Sequence, residues 1–167
     1  HQPRNLGFAA AYLRALEEAR FRYVGFLPAD REVSVDSIRE MFRSVGVADI
    51  VVGYHANPQA RARHRRLLTW GYRTLVNAVS GLTLRYYQGP CIYPTALARA
   101  LPKTAGGFSV LTEMLVHAVR AGHSYVDVGL IHQQRRQGTS KSVTVANIVR
   151  ALHAVGRLWW TIRVRTS

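Results

Sequence analysis

Three groups of residues in this chain have the types and spacing to do chemistry. The first is Pro28-Ala29-Asp30-Arg31-Glu32, directly after the apolar run RYVGFL at residues 22–27. Carboxylates at i and i+2 beyond a strand can hold a hard divalent cation, with phosphate oxygens and water completing its shell. Strand ends are also where open α/β sheets bind ligands. The plain alternative is a solvated acidic turn ahead of a helix. The second group is Arg135-Arg136-Gln137-Gly138-Thr139-Ser140-Lys141. Arg offers phosphate a two-pronged donor, Lys a point charge, and Gly lets backbone approach a ligand closely. Three cations and no acid in seven residues suit a diphosphate clamp, or else an ordinary basic surface loop. The third is Arg61, Arg63, His64, Arg65 and Arg66. It suits a phosphate, a membrane or RNA, and its ordinary reading is a solvated helix face.

Glu113 stands alone between Asp49 and Asp127 on an otherwise apolar stretch. It is expected either to pair with a basic loop and orient an acceptor, or to form a structural salt bridge. The seven His show no metal-ligand spacing, and the single Cys91 excludes an internal disulfide or a cysteine-only zinc site. Trp70, Trp159 and Trp160 read as core or interface residues.

The net charge of +14 is placed unevenly. Residues 1–60 carry seven Arg against seven acids, whereas the other 16 bases face only Glu113 and Asp127. Such one-sidedness points to a polyanionic partner: nucleic acid, an anionic membrane surface or phosphorylated substrates. At 48% apolar residues over 167 positions the chain can bury a core, and disorder is excluded as its general state. No uninterrupted run of 18 apolar residues occurs, so the sequence gives no membrane span and no signal peptide.

These groups need elements to position them. Helical spacing predicts helices over 8–20, 36–45, 63–80 and 109–121, with Gly46, Gly81 and Gly122 as stops. Ser37 and Glu40 have capping-box spacing. Strands are expected at 22–27, 48–53 and 124–131, residues 82–93 are ambiguous, and 132–142 read as a basic loop. The last segment, 143–165, reads as an amphipathic helix with Val145, Ile148, Val149, Leu152, Val155, Trp159 and Ile162 on one face and Arg150, His153 and Arg157 opposite. The β-α-β order suggests a parallel α/β sheet.

Taken in order, the pieces resemble family 2 glycosyltransferases of the GT-A fold, close to the branch of dolichol-phosphate mannose synthases and polyprenyl-phosphate sugar transferases. Asn5-x-Gly7-x-x-x-Ala11 resembles the helix before their metal strand, and Phe26-Leu27-Pro28-Ala29-Asp30 the end of that strand. Val52-Gly53-Tyr54 with the following Arg cluster resembles their acceptor loop, and Gly107-Phe108 with Glu113 the helix near the acceptor site. Arg135-x-x-Gly138-x-Ser140-Lys141 resembles the loop that binds the diphosphate, and is the most specific piece. Pro28 departs from the pattern, standing where the family usually has the first Asp.

The resemblance implies an α/β fold of GT-A (Rossmann-like) kind, a mainly parallel sheet flanked by helices, lacking its opening βαβ unit. Residues 1–142 would be the C-terminal portion of that domain, and 143–167 an amphipathic helix associated with a membrane. It further implies inverting, metal-assisted transfer of a sugar from a nucleotide diphosphate sugar to a polyprenyl phosphate or related acceptor. Mg2+ or Mn2+ would sit on Asp30 and Glu32. Asp30, Glu113 and Arg135 would have catalytic roles, and Arg61, Arg63, Arg65, Arg66, Arg135, Gly138, Ser140 and Lys141 would bind substrate. The expected partners are donor, lipid phosphate, the cytoplasmic face of a membrane and the missing N-terminal segment, without which this portion is expected to be inactive. Two other readings stay open: a basic nucleic-acid-binding module, and a degenerate transferase, prompted by Pro28.

Overall fold

The computed structural model describes residues 7–28, 32–60, 62–132 and 145–165. Eleven elements follow in order, all but one of them regular helices or strands: α1 (Phe8–Glu18), β1 (Tyr23–Gly25), α2 (Val35–Arg43), β2 (Ile50–His55), a 3-10 turn (Pro58–Ala60), α3 (Arg63–Ser80), β3 (Cys91–Pro94), α4 (Thr95–Ala100), α5 (Ser109–Arg120), β4 (Tyr125–Leu130) and α6 (Val145–Arg165).

The four strands form one sheet in the order β1-β3-β2-β4. The three expected strands run in one direction, and β2 and β4 pair in parallel from Ile50↔Tyr125 to His55↔Leu130. Into the ambiguous stretch falls β3, which lies between β1 and β2 and is antiparallel to both. The sheet is therefore mixed. Four residues flanked by Gly89-Pro90 and a following helix carry too little pattern to announce a strand; the two ladders on either side of β3 supply what its own sequence does not.

Alternation divides the side chains between two faces. Ile50, Val52, Cys91 and Tyr93 face the larger core, with α1, α3, α5 and α6, while Val51, Ile92, Val128 and Leu130 face a smaller one with Met41 of α2. Ser34, not Ser37, caps α2: its hydroxyl accepts from the Ser37 amide at 3.2 Å. The Ser37 hydroxyl instead accepts from the Ile131 amide at 3.0 Å, tying α2 to the end of β4. Gly81, at φ +70°, ends α3 in the left-handed conformation that glycine tolerates best.

In α6 the buried face is Val155, Leu158 and Ile162. Ile148, Val149, Leu152 and Trp159, which periodicity assigned to the same apolar face, stay exposed together with Trp160. Packing on α3 and α5 sets the helix's rotation, and among the described residues only part of the apolar stripe is covered.

Candidate active site at the carboxyl edge of the sheet

β1, β2 and β4 all end at the same edge, so the segments that follow them meet there. His132, just past β4, forms an antiparallel bridge with Val33, next to Glu32. His132 also reaches His55 at the end of β2, with the two Nδ1 atoms 2.9 Å apart and the rings edge to face at 4.0 Å between centroids. At that distance one ring nitrogen donates and the other accepts. Asn57 clamps His132 from the far side: its Nδ2 donates to the His132 carbonyl and its Oδ1 accepts from the His132 amide, both at 2.8 Å.

Beside this junction a cavity of about 800 Å³ opens between the end of β2, α3 and the 82–90 loop. Arg63, Arg66, Arg73 and Arg85 line it, together with Tyr54, His55, Leu67, Trp70 and Tyr86, and no acid among the described residues does. The loop is held by close backbone approach. The Gly53 amide donates to the Pro90 carbonyl at 2.8 Å, and a Cβ on Gly89 would lie 2.2 Å from the Gly53 carbonyl oxygen. Asn77 of α3 fixes the same loop, accepting from the Leu84 amide at 3.2 Å and from the Tyr87 hydroxyl.

Beneath the cavity, Asp127 of β4 approaches Arg85, with Oδ2 to Nε 3.6 Å. Burial pushes the Asp127 carboxyl up from its ordinary value and the Arg85 guanidinium pulls it back. That guanidinium also lies 5.0 Å from the centroid of the Tyr54 ring. The arrangement suits an anion of phosphate size: several fork-shaped cations in a partly enclosed site with apolar walls.

Of the residues singled out from sequence, Arg63 and Arg66 line the cavity and Arg65, half-buried, does not. Glu32 is half-buried beside the bridge to His132. Asp30, Arg61, Arg135, Gly138, Ser140 and Lys141 lie outside the described residues. Glu113 is buried away from the cavity, and its carboxylate accepts from the Thr104 amide (2.7 Å), the Thr104 hydroxyl (2.6 Å) and the Ala105 amide (2.8 Å). It holds the 101–108 loop against α5. Sequence reasoning missed His55, His132, Arg73 and Arg85. The usable signal was position: both His close apolar strands, where ligands gather.

Carboxylate oxygens suit Mg2+ and Mn2+, and of the two carboxylates read from the sequence as metal ligands only Glu32 lies among the described residues. Among the described residues no three His, Cys, Asp or Glu converge as a complete metal cluster.

Comparison with curated proteins returns no match. Among solved structures, glucosyl-3-phosphoglycerate synthase from Mycobacterium tuberculosis is similar in several complexes. With UDP the TM-score is 0.65 at 17% identity, over 93% of this chain and 57% of that one. With Mg2+ and UDP it is 0.66 at 17% identity and the same coverage. With Mn2+, UDP-glucose and phosphoglyceric acid it is 0.62 at 16% identity, again over 93% and 57%. This chain thus spans a little over half the length of those proteins, and the likeness bears out the expected fold class, a helix-flanked α/β sheet of GT-A kind. The model of glycosyl transferase family 2 matches residues 1–98, more than half of the 167, and the chain belongs to that family.

Proposed function

We propose that this chain is part of a transferase that moves a sugar from a nucleotide diphosphate sugar to a lipid phosphate, of the dolichyl or polyprenyl type, with inversion at the sugar carbon. The observation that carries the reading is the cavity: four Arg set among Tyr54, Leu67, Trp70 and Tyr86 at the carboxyl edge of the sheet. One of the similar solved structures holds UDP-glucose together with phosphoglyceric acid, an acceptor that itself bears a phosphate. A phosphate headgroup is common to both acceptors. The apolar wall argues for a hydrocarbon tail on this one, because a small polar acid gains nothing from it.

The tail has somewhere to go. Leu67 and Trp70 are 67% and 56% exposed and run from the cavity onto the outer face of α3. The exposed Ile148, Val149, Leu152 and Trp160 of α6 add to that apolar surface. Neither helix contains an acid, and Arg63, Arg66, Arg150 and Arg163 flank these residues. Tryptophan and arginine on an acid-free amphipathic surface suit the headgroup layer of an anionic membrane. No helix among the described residues is long and apolar enough to cross a membrane.

In this reading the cavity Arg residues bind the acceptor phosphate and align one of its oxygens with the sugar carbon. That oxygen is already anionic, so attack needs no strong base. Asp30 and Glu32 would hold the metal, and a bound Mg2+ or Mn2+ would supply positive charge against the leaving diphosphate. Arg135, Gly138, Ser140 and Lys141 would clamp that diphosphate from the other side. Glu113 serves indirectly, by fixing the 101–108 loop.

The test is product analysis. Full-length protein is incubated with a panel of nucleotide diphosphate sugars, Mn2+ and farnesyl phosphate. Mass spectrometry should detect glycosylated farnesyl phosphate with at least one donor, and none with Asp30→Ala. Preferential transfer to phosphoglyceric acid overturns the lipid reading. Transfer to no acceptor at all overturns the transferase reading.

A further inference from the structure

The four cavity arginines are not equivalent. Arg63, Arg66 and Arg73 form no ion pair among the described residues, whereas Arg85 faces the Asp127 carboxylate. That carboxylate is itself unusual. Its Oδ1 is buried without a hydrogen-bond partner among the described residues, and its Oδ2 faces the Arg85 guanidinium. A buried orphan oxygen is costly and asks for an explanation. Arg85 meanwhile lies over the Tyr54 ring, 5.0 Å from its centroid, with its side chain 62% exposed at the cavity wall.

Resting on the cavity as the acceptor site, we propose that Asp127 and Arg85 act together as its specificity device: Asp127 offsets the charge of Arg85, so that a small free phosphate binds poorly and only a phosphate carrying an apolar tail binds well. A free phosphate entering the cavity meets three unopposed cations and one whose charge is already partly spent on Asp127. A phosphate with a hydrocarbon tail meets the same cations but also buries its tail against Leu67 and Trp70, gaining free energy that a bare anion lacks. Weakening one cation lowers both affinities, but it leaves the bare anion below useful occupancy. Tyr54 keeps the guanidinium pointed at the ligand, and Asp127 is a positioning residue that never touches the substrate. Gly129 fits this arrangement: a Cβ there would lie 3.3 Å from the Tyr54 hydroxyl oxygen, crowding the ring on which Arg85 rests.

The experiment is isothermal calorimetry on the full chain with three probes: farnesyl phosphate, farnesol and inorganic phosphate. Wild-type protein should bind farnesyl phosphate much more tightly than either other probe. Asp127→Asn, nearly isosteric, should strengthen inorganic phosphate binding by about three- to tenfold, since an opposing charge near the site is removed, and so bring the bare anion into the range of useful occupancy. Arg85→Gln should weaken both phosphates about tenfold, the effect of one charge-assisted contact, and leave farnesol unchanged. Arg85→Lys should recover part of that loss. Melting temperatures of the variants establish that each is folded, and Asp127→Asn and Arg85→Lys are mild enough to carry the test if Arg85→Gln is not. If wild-type protein binds farnesyl phosphate but Asp127→Asn leaves inorganic phosphate binding unchanged or weaker, the device is disproved while the acceptor site stands. If wild-type protein fails to bind farnesyl phosphate, both fall.

Discussion

The guanidinium of Arg157 donates from one nitrogen to two oxygens of Thr104, its carbonyl at 2.9 Å and its hydroxyl at 2.7 Å. The same hydroxyl donates to Glu113 at 2.6 Å. A chain of three side chains thus joins α6, the 101–108 loop and α5, with the Thr104 hydroxyl accepting from Arg157 and donating to the carboxylate.

Helical periodicity sets Arg157 opposite the apolar face, as though it were solvent-facing, but its contacts are inward. Arg157→Ala should therefore destabilise the fold by about 1 kcal/mol, the lower part of the range for hydrogen bonds of charged groups because the guanidinium is exposed. Urea denaturation measures this. A midpoint equal to that of wild-type protein would mean that α6 docks without the contact.

Glu113→Ala would leave two backbone amides and a hydroxyl without their acceptor. Unsatisfied buried groups cost about 1–3 kcal/mol each before water relieves some of them, so a total loss of about 3 kcal/mol is expected. Glu113→Gln keeps one acceptor oxygen and should restore roughly half of that. If Glu113→Gln proved as stable as wild type while turnover of the full-length enzyme vanished, the carboxylate would act on substrate and not on the loop.

Two glycines make a paired test. A methyl group on Gly89 would meet the Gly53 carbonyl oxygen at 2.2 Å and the Tyr86 ring at 2.8 Å. Gly89→Ala should lower stability by about 2–3 kcal/mol, as overpacking does, and should displace Arg85 and Tyr86 from the cavity. Gly71, inside α3, has nothing within 4 Å of a built Cβ. Gly71→Ala should instead stabilise the protein by about 0.5–1 kcal/mol through helix propensity. Thermal denaturation of the two variants should shift in opposite directions.

Asp49 carries a pH signature. Hydrogen bonds from the Ser124 hydroxyl and amide, each 2.8 Å, hold its carboxyl below the ordinary value, with His123 adding to the effect. A carboxyl depressed in the folded state contributes stability above its unfolded pKa, about 4, and loses it as pH falls through the folded value. The stability difference between wild type and Ser124→Ala should therefore be present at pH 6 and shrink below about pH 4. A difference that stayed constant down to pH 2 would show that Ser124 acts by packing and not through the charge on Asp49.

How far the sequence reaches can be judged from particular elements. The helix α3 begins and ends where its spacing and Gly81 predict, residues 63–80, because period and glycine stop are local properties of the backbone. The strand directions of β1, β2 and β4 were legible for a similar reason: apolar runs joined by helices run parallel when right-handed crossovers connect them. Ser34 displaced Ser37 as the cap of α2 because Ser37 is needed by Ile131, 94 residues away, and no local rule contains that demand.

The sequence by itself determined the family, most element boundaries and the one-sided charge, since these depend on composition and on neighbours within a few residues. The tertiary structure alone decided that β3 would separate β1 from β2, that His55 would meet His132, and that Arg73 and Arg85 would join Arg63 and Arg66 around one cavity. It also decided which side of α6 is buried. Each of these is a contact between residues far apart in the chain, fixed by the pairing of strands and the packing of helices on the sheet, and long-range contacts leave no period or spacing in a single sequence for the eye to find.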